Sequence, residues 1–418
     1  MRYRRVVVRV AMLVSLTAAV LMAAECASLD STKTGGHCMR IFTTGSRRLA
    51  FSIHCHRVLV ASLLIAVLLS ATSCGGTDSS QHSGDGQQSQ EQSAHVSPYA
   101  VVVDGLGGYI DSRGSIIVEP QYEVALPFSE GLAGVRMDGL SGFIDETGKT
   151  VITPQFDNVG LGGFSEGRAA VQVGDQWGYI DTKGQMVVQA QFFSAGQFHE
   201  GLAAVSIEGQ GQGYIDRQGS VVIEPKFMTA QGFSEGLAAA SVMPDDTSDR
   251  IKYEFIDTSG RVVIEPGFTQ AVGFSEGLAA VEVGDVWGFI DKTGHFVIEP
   301  QYELAGPFSG GLAFVAVGEK QGFIDKGGAM VIRPQYYHSG DGFSEGLAAV
   351  CAEPHDPGDW DAGPYGYVDQ SGRMVIPPEF FMASPYRDGL ASVFKGELGA
   401  AVNLYIDKTG KVVWSGAE

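Results

Sequence analysis

The sequence predicts an all-β protein: a tandem repeat array of about nine three-stranded antiparallel β-meanders over residues 99–418. An open β-solenoid or superhelix is the favoured arrangement, with a β-propeller-like closed ring as the alternative. Two recurrences carry this expectation. An aromatic-aliphatic-Asp step, followed by a turn closing on Gly, begins at Asp111, Asp145, Asp181, Asp216, Asp257, Asp291, Asp325, Asp369 and Asp407, at intervals of 34, 36, 35, 41, 34, 34, 44 and 38 residues. An FSEGLA-like joint recurs at 128–133, 164–169, 198–203, 233–238, 274–279, 308–313, 343–348 and 386–391. A basic period of about 35 residues with occasional insertions marks a repeat architecture.

The unit at 274–308 shows how each element is specified. Residues 278–283 form a first strand, and Gly284-Asp285 is a two-residue hairpin turn that needs positive φ. Residues 287–291 form the second strand. Asp291-Lys292-Thr293-Gly294 reads as a type I turn, with Asp first and Gly last. Residues 296–298 form the third strand, and Glu299-Pro300 ends it because Pro has no N–H for the ladder. Tyr302 and Phe308 in the connector are plugs between units. If Val283 pairs with Val286, then Ala279, Val281, Val283, Val286 and Ile290 share one face, and Leu278, Ala280, Trp287 and Phe289 the other. Apart from Glu282 neither face is polar, so neighbouring units cover both.

Residues 1–73 do not belong to the array. Two apolar runs, 6–24 and 58–69, each follow basic residues, and the second leads into Ala71-Thr72-Ser73-Cys74-Gly75-Gly76. This stretch resembles the lipobox of a bacterial lipoprotein signal peptide, whose Cys is acylated and becomes the mature N-terminus; Ala71 stands where that pattern usually has Leu. The resemblance implies a signal peptide at 39–73, lipidation at Cys74, and an extracytoplasmic, membrane-anchored location in the cell envelope. Met39 begins a complete basic-apolar-Cys signal by itself, so 1–38 is read as an effect of an early start codon, with a genuine extension as the alternative. A signal anchor or an ordinary cleaved signal is the alternative. Of five cysteines, four lie in or before this site, leaving Cys351 as the array's single thiol and no disulfide framework. Residues 74–98 then form a Gly/Ser/Gln-rich linker without apolar periodicity, a flexible tether with an end-to-end distance of roughly 25–30 Å.

Charge narrows the partners. The whole sequence has a formal net charge of −20, and removing the nine basic and two acidic residues of 1–73 takes it to −27. A surface this acidic argues against nucleic acid or anionic lipid as the ligand. It suits a cationic ligand, or solubility alone.

Trp177-Gly178-Tyr179-Ile180-Asp181 and Trp287-Gly288-Phe289-Ile290-Asp291, with the EGLA and EPQY elements around them, resemble the WG-repeat family of bacterial proteins over roughly residues 99–418. Only these two units keep the Trp; Ser141, Gln212 and Gln321 replace it elsewhere. The resemblance implies a β-rich repeat, often on secreted or membrane-attached proteins, and no common activity.

Propellers typically carry 4–8 blades of four strands, whereas nine units of three strands are expected here, which favours the open stack. The clear length changes, 243–251, 353–364 and 395–401, all fall in the first hairpin of a unit. Such insertions mark one side of a stack, often its binding side. The second gathers His355, Asp356, Asp359 and Asp361 around Trp360, with Tyr365 beside it. These six are the candidate binding residues, since exposed aromatics stack on a sugar or peptide and carboxylates attract a cation. A solvated acidic insertion is the plainer reading.

No catalytic residue, metal site or cofactor is expected. The spacing at 355–361 is not an EF-hand loop, no phosphate-binding glycine motif occurs, and no nucleophile elbow accompanies His199, His295 or His338. The nine repeated Asp residues cap their own turns. Glu130, Glu166, Glu200, Glu235, Glu276 and Glu345 in the joints are turn or inter-unit contacts, with an acidic ladder as the alternative. The expected function is a non-catalytic binding or scaffolding module for a protein or cell-envelope glycan; the alternatives are a carbohydrate-active or other hydrolytic enzyme and a structural spacer.

Overall fold

The computed structural model describes residues 97–242, 251–353, 364–396 and 401–416. The expectations at 1–73, at Cys74 and in most of the linker therefore lie outside the described residues. Within them every regular element is a strand, and the strands fall into nine consecutive antiparallel units.

The sixth unit shows the plan. Ala279–Val283 and Val286–Ile290 pair in the expected register, Val283 opposite Val286, and Phe296–Tyr302 pairs along the outer side of the second strand. One strand more is present than the sequence predicts. Gln270–Ala271, in the connector, pairs with the first meander strand through Ala271 and Val281. Six sheets are four-stranded in this way, and the first unit has three strands. The fourth and fifth units merge into one seven-stranded sheet, because Val221–Ala230 runs on past its own unit to pair with Leu237–Val242. The three-stranded expectation is thus corrected. The connector lies against a strand whose N–H and C=O groups need partners, and two extended residues supply them.

All nine Asp turns form as expected. Asp291 Oδ1 accepts from the N–H groups of Thr293 and His295, while the Gly294 N–H donates to the Asp291 carbonyl at 2.9 Å. The other eight Asp residues make the same pair of bonds two and four residues on. Gly294 adopts φ +84°, and a Cβ there would press on Ile264 of the preceding unit at 3.0 Å.

The Gly after the Trp position has a steric cause. The third strand carries two extra residues where it passes the second, since Trp287 pairs with Tyr302 but Phe289 with Ile298. That bulge folds the chain over Gly288, where a Cβ would lie 2.6 Å from the Ile298 carbonyl oxygen and 2.7 Å from Pro300 N. Gly108, Gly142, Gly178, Gly213, Gly322 and Gly366 are covered in the same way. Glu254 and Leu404 hold this position in the fifth and ninth units.

The core is a series of apolar layers between units. Leu278, Ala280, Trp287 and Phe289 pack toward the seventh unit, and Ala279, Val281 and Ile290 toward the fifth, as the alternation predicts. Each layer contains several fully buried large side chains, each worth about 1.5–3 kcal/mol of burial. Eight layers join consecutive units. The ninth joins Tyr99, Val101 and Ile110 of the first unit to Leu390, Tyr405 and Trp414 of the last.

An open stack of nine has eight layers, so the ninth layer matches the closed alternative. The hydroxyl of Tyr405 donates to the Ala100 carbonyl at 2.7 Å, as Tyr109, Tyr179, Tyr214 and Tyr367 donate to carbonyls of their following units. A Cβ on Gly114 would overlap the Val413 carbonyl, as the other turn glycines press on the unit before them. Among the described residues no strand of the first unit pairs in the sheet of the ninth, and side chains and single hydrogen bonds make this seam.

Candidate functional site

Each unit has two ends with different chemistry. At one end lie the joint and the Asp turn. At the other lie the first hairpin and the corner that follows the third strand.

The joint end is taken up by contacts between units. In the joint turn both Glu276 (φ 54°) and Gly277 (φ 89°) have positive φ, the type I′ pattern that usually selects Asn-Gly. The Glu276 carboxylate accepts from the Gly311 N–H of the next joint at 3.1 Å and pairs with Lys326 Nζ at 3.0 Å. Glu130, Glu166, Glu200, Glu235 and Glu345 each accept from the corresponding Gly N–H. Arg217, Lys292 and Lys408 pair with Glu166, Glu235 and Glu345. The joint carboxylates are therefore the inter-unit contacts that the sequence indicates. Ser129, Ser165, Ser234, Ser275, Ser309 and Ser344 add a hydroxyl bond to the aromatic residue's carbonyl in the next joint.

The hairpin end varies from unit to unit. At the tight two-residue hairpins of the second, third and seventh units, the residue after the preceding third strand caps the turn: Glu123 accepts from Gly139 N–H, Asp157 from Gly174 and Glu303 from Gly318. Before the sixth unit's hairpin Thr269 holds that position. Before the longer hairpins that residue is Phe193, Met228, Tyr337 or Phe381. Phe193 is 68% exposed, the highest value among the exposed large apolar side chains. All three inserted hairpins leave from this end.

Of the predicted binding residues, His355, Asp356, Asp359, Trp360 and Asp361 lie outside the described residues. Tyr365 is described. It opens the second strand of the eighth unit, in the position where the third and sixth units hold Trp. The strand pairing sets His338, Cys351 and Tyr365 in one row across the sheet, with Cys351 between the other two. The Tyr365 hydroxyl lies 3.0 Å from His338 Nδ1, and the two rings meet edge to face at 5.9 Å. Burial pushes the Tyr365 phenol well above its ordinary range, and the nearby Cys351 thiol adds to this. The phenol is therefore a neutral hydrogen-bonding group at neutral pH. Cys351 is buried and directs Sγ to the Glu353 carbonyl at 3.2 Å, consistent with a small core residue. His338 is the residue that sequence reasoning passed over. Its partner lies 27 residues away and meets it only through the strand pairing.

Among the described residues no group of three or more His, Cys, Asp or Glu side chains is arranged to hold a metal ion.

The chain is similar to solved structures of AztD from Citrobacter koseri and BamB from Moraxella catarrhalis. The first has a TM-score of 0.41 and 15% identity, over 76% of this chain and 93% of that one. The second has a TM-score of 0.40 and 10% identity, over 69% and 94%. Comparison with curated proteins finds no match. The model of the WG-containing repeat matches residues 108–140, 142–177, 177–210, 213–242, 255–287, 287–320, 322–353 and 365–398. The first of these segments runs from the second strand of one unit to the first hairpin of the next, so the family's repeat straddles two sheets. With well over half of its length matched in eight segments, this chain belongs to the WG-containing repeat family.

Proposed function

We propose that this protein is a cell-envelope lipoprotein, anchored through Cys74, whose repeat array serves as a non-catalytic binding or scaffolding module for a protein or cell-envelope glycan. The observation that carries this reading is the difference between the two ends of the units. The joint end uses its carboxylates, hydroxyls and glycine N–H groups to hold neighbouring units together. The hairpin end is where the length changes leave the array and where Tyr365 and His338 meet. Variation on a rigid scaffold is where binding residues concentrate.

Deleting 354–363 is expected to abolish binding on a glycan array or in an envelope pull-down, with the thermal transition kept. Unchanged binding by that variant would remove the hairpin-end reading. Anchoring is tested separately: Cys74→Ser is expected to lose metabolic labelling with palmitate and to release the protein from the membrane fraction.

A further inference from the structure

Among the described residues the outermost strand of each unit leaves one edge without a strand partner, except in the fourth unit, whose strand continues into the fifth. Such edges are templates for pairing with another chain, and native sheets block them with Pro, charge or shortness. Seven units carry Pro in this strand: Pro120, Pro154, Pro225, Pro266, Pro300, Pro334 and Pro378. Most add a charge, such as Glu119, Glu265, Glu299, Arg333 or Glu379. The ninth unit has a four-residue strand, Val412–Ser415.

The third unit differs. Its outer strand Met186–Phe192 is seven residues long, is the end strand of its sheet, and has Gln189-Ala190 where the sixth unit has Glu299-Pro300. No charged residue occurs from 184 to 198. Directly after the strand comes the 68% exposed Phe193, at the position held by Glu123 and Glu303 elsewhere. The bulge common to these strands is kept, so Pro and charge are the protections that are missing.

We infer that this edge is a self-association surface on which a second copy of this chain pairs antiparallel through its own Met186–Phe192 strand. Charge selects the occupant. Two molecules of net charge −20 repel one another, and that repulsion is least where a neutral strand of one meets the same neutral strand of the other. An isologous pairing is also self-complementary. A two-fold axis at Gln189 sets each Gln amide beside its copy and places the exposed Phe193 of one edge opposite the exposed Gln185 of the other. Amide side chains both donate and accept, so the pair at the axis satisfies itself.

The test is the solution mass of the full chain by light scattering over a dilution series, at low and high salt. A dimer that tightens with salt is expected. Gln189→Glu with Ala190→Pro gives the third unit the Glu-Pro of its neighbours, and should raise the dimer dissociation constant by at least about tenfold. Phe193→Glu should weaken the dimer in the same direction, and at an exposed position it leaves the fold intact. A monomer throughout the dilution series, or a dimer that neither variant weakens, would overturn the proposal.

Discussion

The guanidinium of Arg387 donates to the carbonyl of Phe128, 259 residues earlier in the chain, at 2.9 Å. In six of the other joints a Ser hydroxyl makes the equivalent bond to the joint that follows. The described part of the first unit has no joint, since it begins at its first long strand. The joint of the ninth unit must therefore reach past that unit to the second, and a longer side chain stands where those six have Ser. Tyr99 fills the interval, its hydroxyl donating to the Asp388 carbonyl at 2.7 Å.

Shortening Arg387 should therefore loosen one seam and no other. Arg387→Ser is expected to cost about 1 kcal/mol, the usual net worth of one hydrogen bond. Hydrogen exchange should rise in Tyr99–Val103 and Val402–Asp407 ahead of the middle units. Uniform exchange across all nine units in the variant would show that this seam is not where the array opens.

The WG glycine gives a steric prediction. At Gly288 an added Cβ meets backbone on both sides of the bulge, and that backbone must shift to admit it, as it has around Glu254 in the fifth unit. Gly288→Ala should destabilise by about 1–3 kcal/mol, the range for overpacking a filled site. Leu404 occupies the same position in the ninth unit, where Val412–Ser415 pairs with the second strand without the Pro. A variant of Gly366 should lose stability as that of Gly288 does. Equal thermal midpoints for the wild type and both alanine variants would refute this account of the motif.

The joint turn separates strain from bonding. Glu276 holds φ 54°, a conformation that disfavours any side chain with a Cβ, and its carboxylate bonds Gly311 and Lys326. Glu276→Ala keeps the strain and loses the bonds, whereas Glu276→Gly loses the bonds and relieves the strain. The alanine variant should be less stable by about 1–2 kcal/mol and the glycine variant by less, as read from urea unfolding. Nature has made the glycine change in the seventh unit, where Gly310 (φ 62°) holds the position and Gln370 reaches its carbonyl. The reverse order of stability would mean that the turn geometry is not what limits this position.

Much of this was legible from residue order because it is local. The Asp turns, the Val283–Val286 register and the division of Leu278 to Ile290 between two faces follow from turn chemistry and a period of two. The fourth strand was not legible. Residues 270–271 carry no strand signal of their own and become extended only against Val281 and Glu282. The meeting of the ends was hidden for a similar reason, since nothing near Tyr99 or Tyr405 in sequence specifies a partner about 300 residues away. At the candidate site the Tyr365–His338 contact depends on three strands in register, and so belongs to pairing rather than to any motif.

Acid should unfold the array through its turns. Hydrogen bonding by Ser259 holds the Asp257 carboxyl down to about 2, with Arg261 and the turn N–H groups adding to it; Asp369 is held at about 2 by Ser371 and Arg373 in the same way. Both groups are more acidic folded than unfolded, where a carboxyl titrates at about 3.9. Their contribution is therefore fully present above that value and declines as pH falls toward 2. Asp145, Asp291 and Asp407 are lowered too, so the effect repeats around the array. Urea midpoints should be flat above about pH 5 and fall steadily below about pH 4. Ser259→Ala should flatten that fall slightly, because it removes the largest cause of the Asp257 shift while leaving the turn's backbone bonds in place. A midpoint that rises on acidification would show that other groups govern stability there.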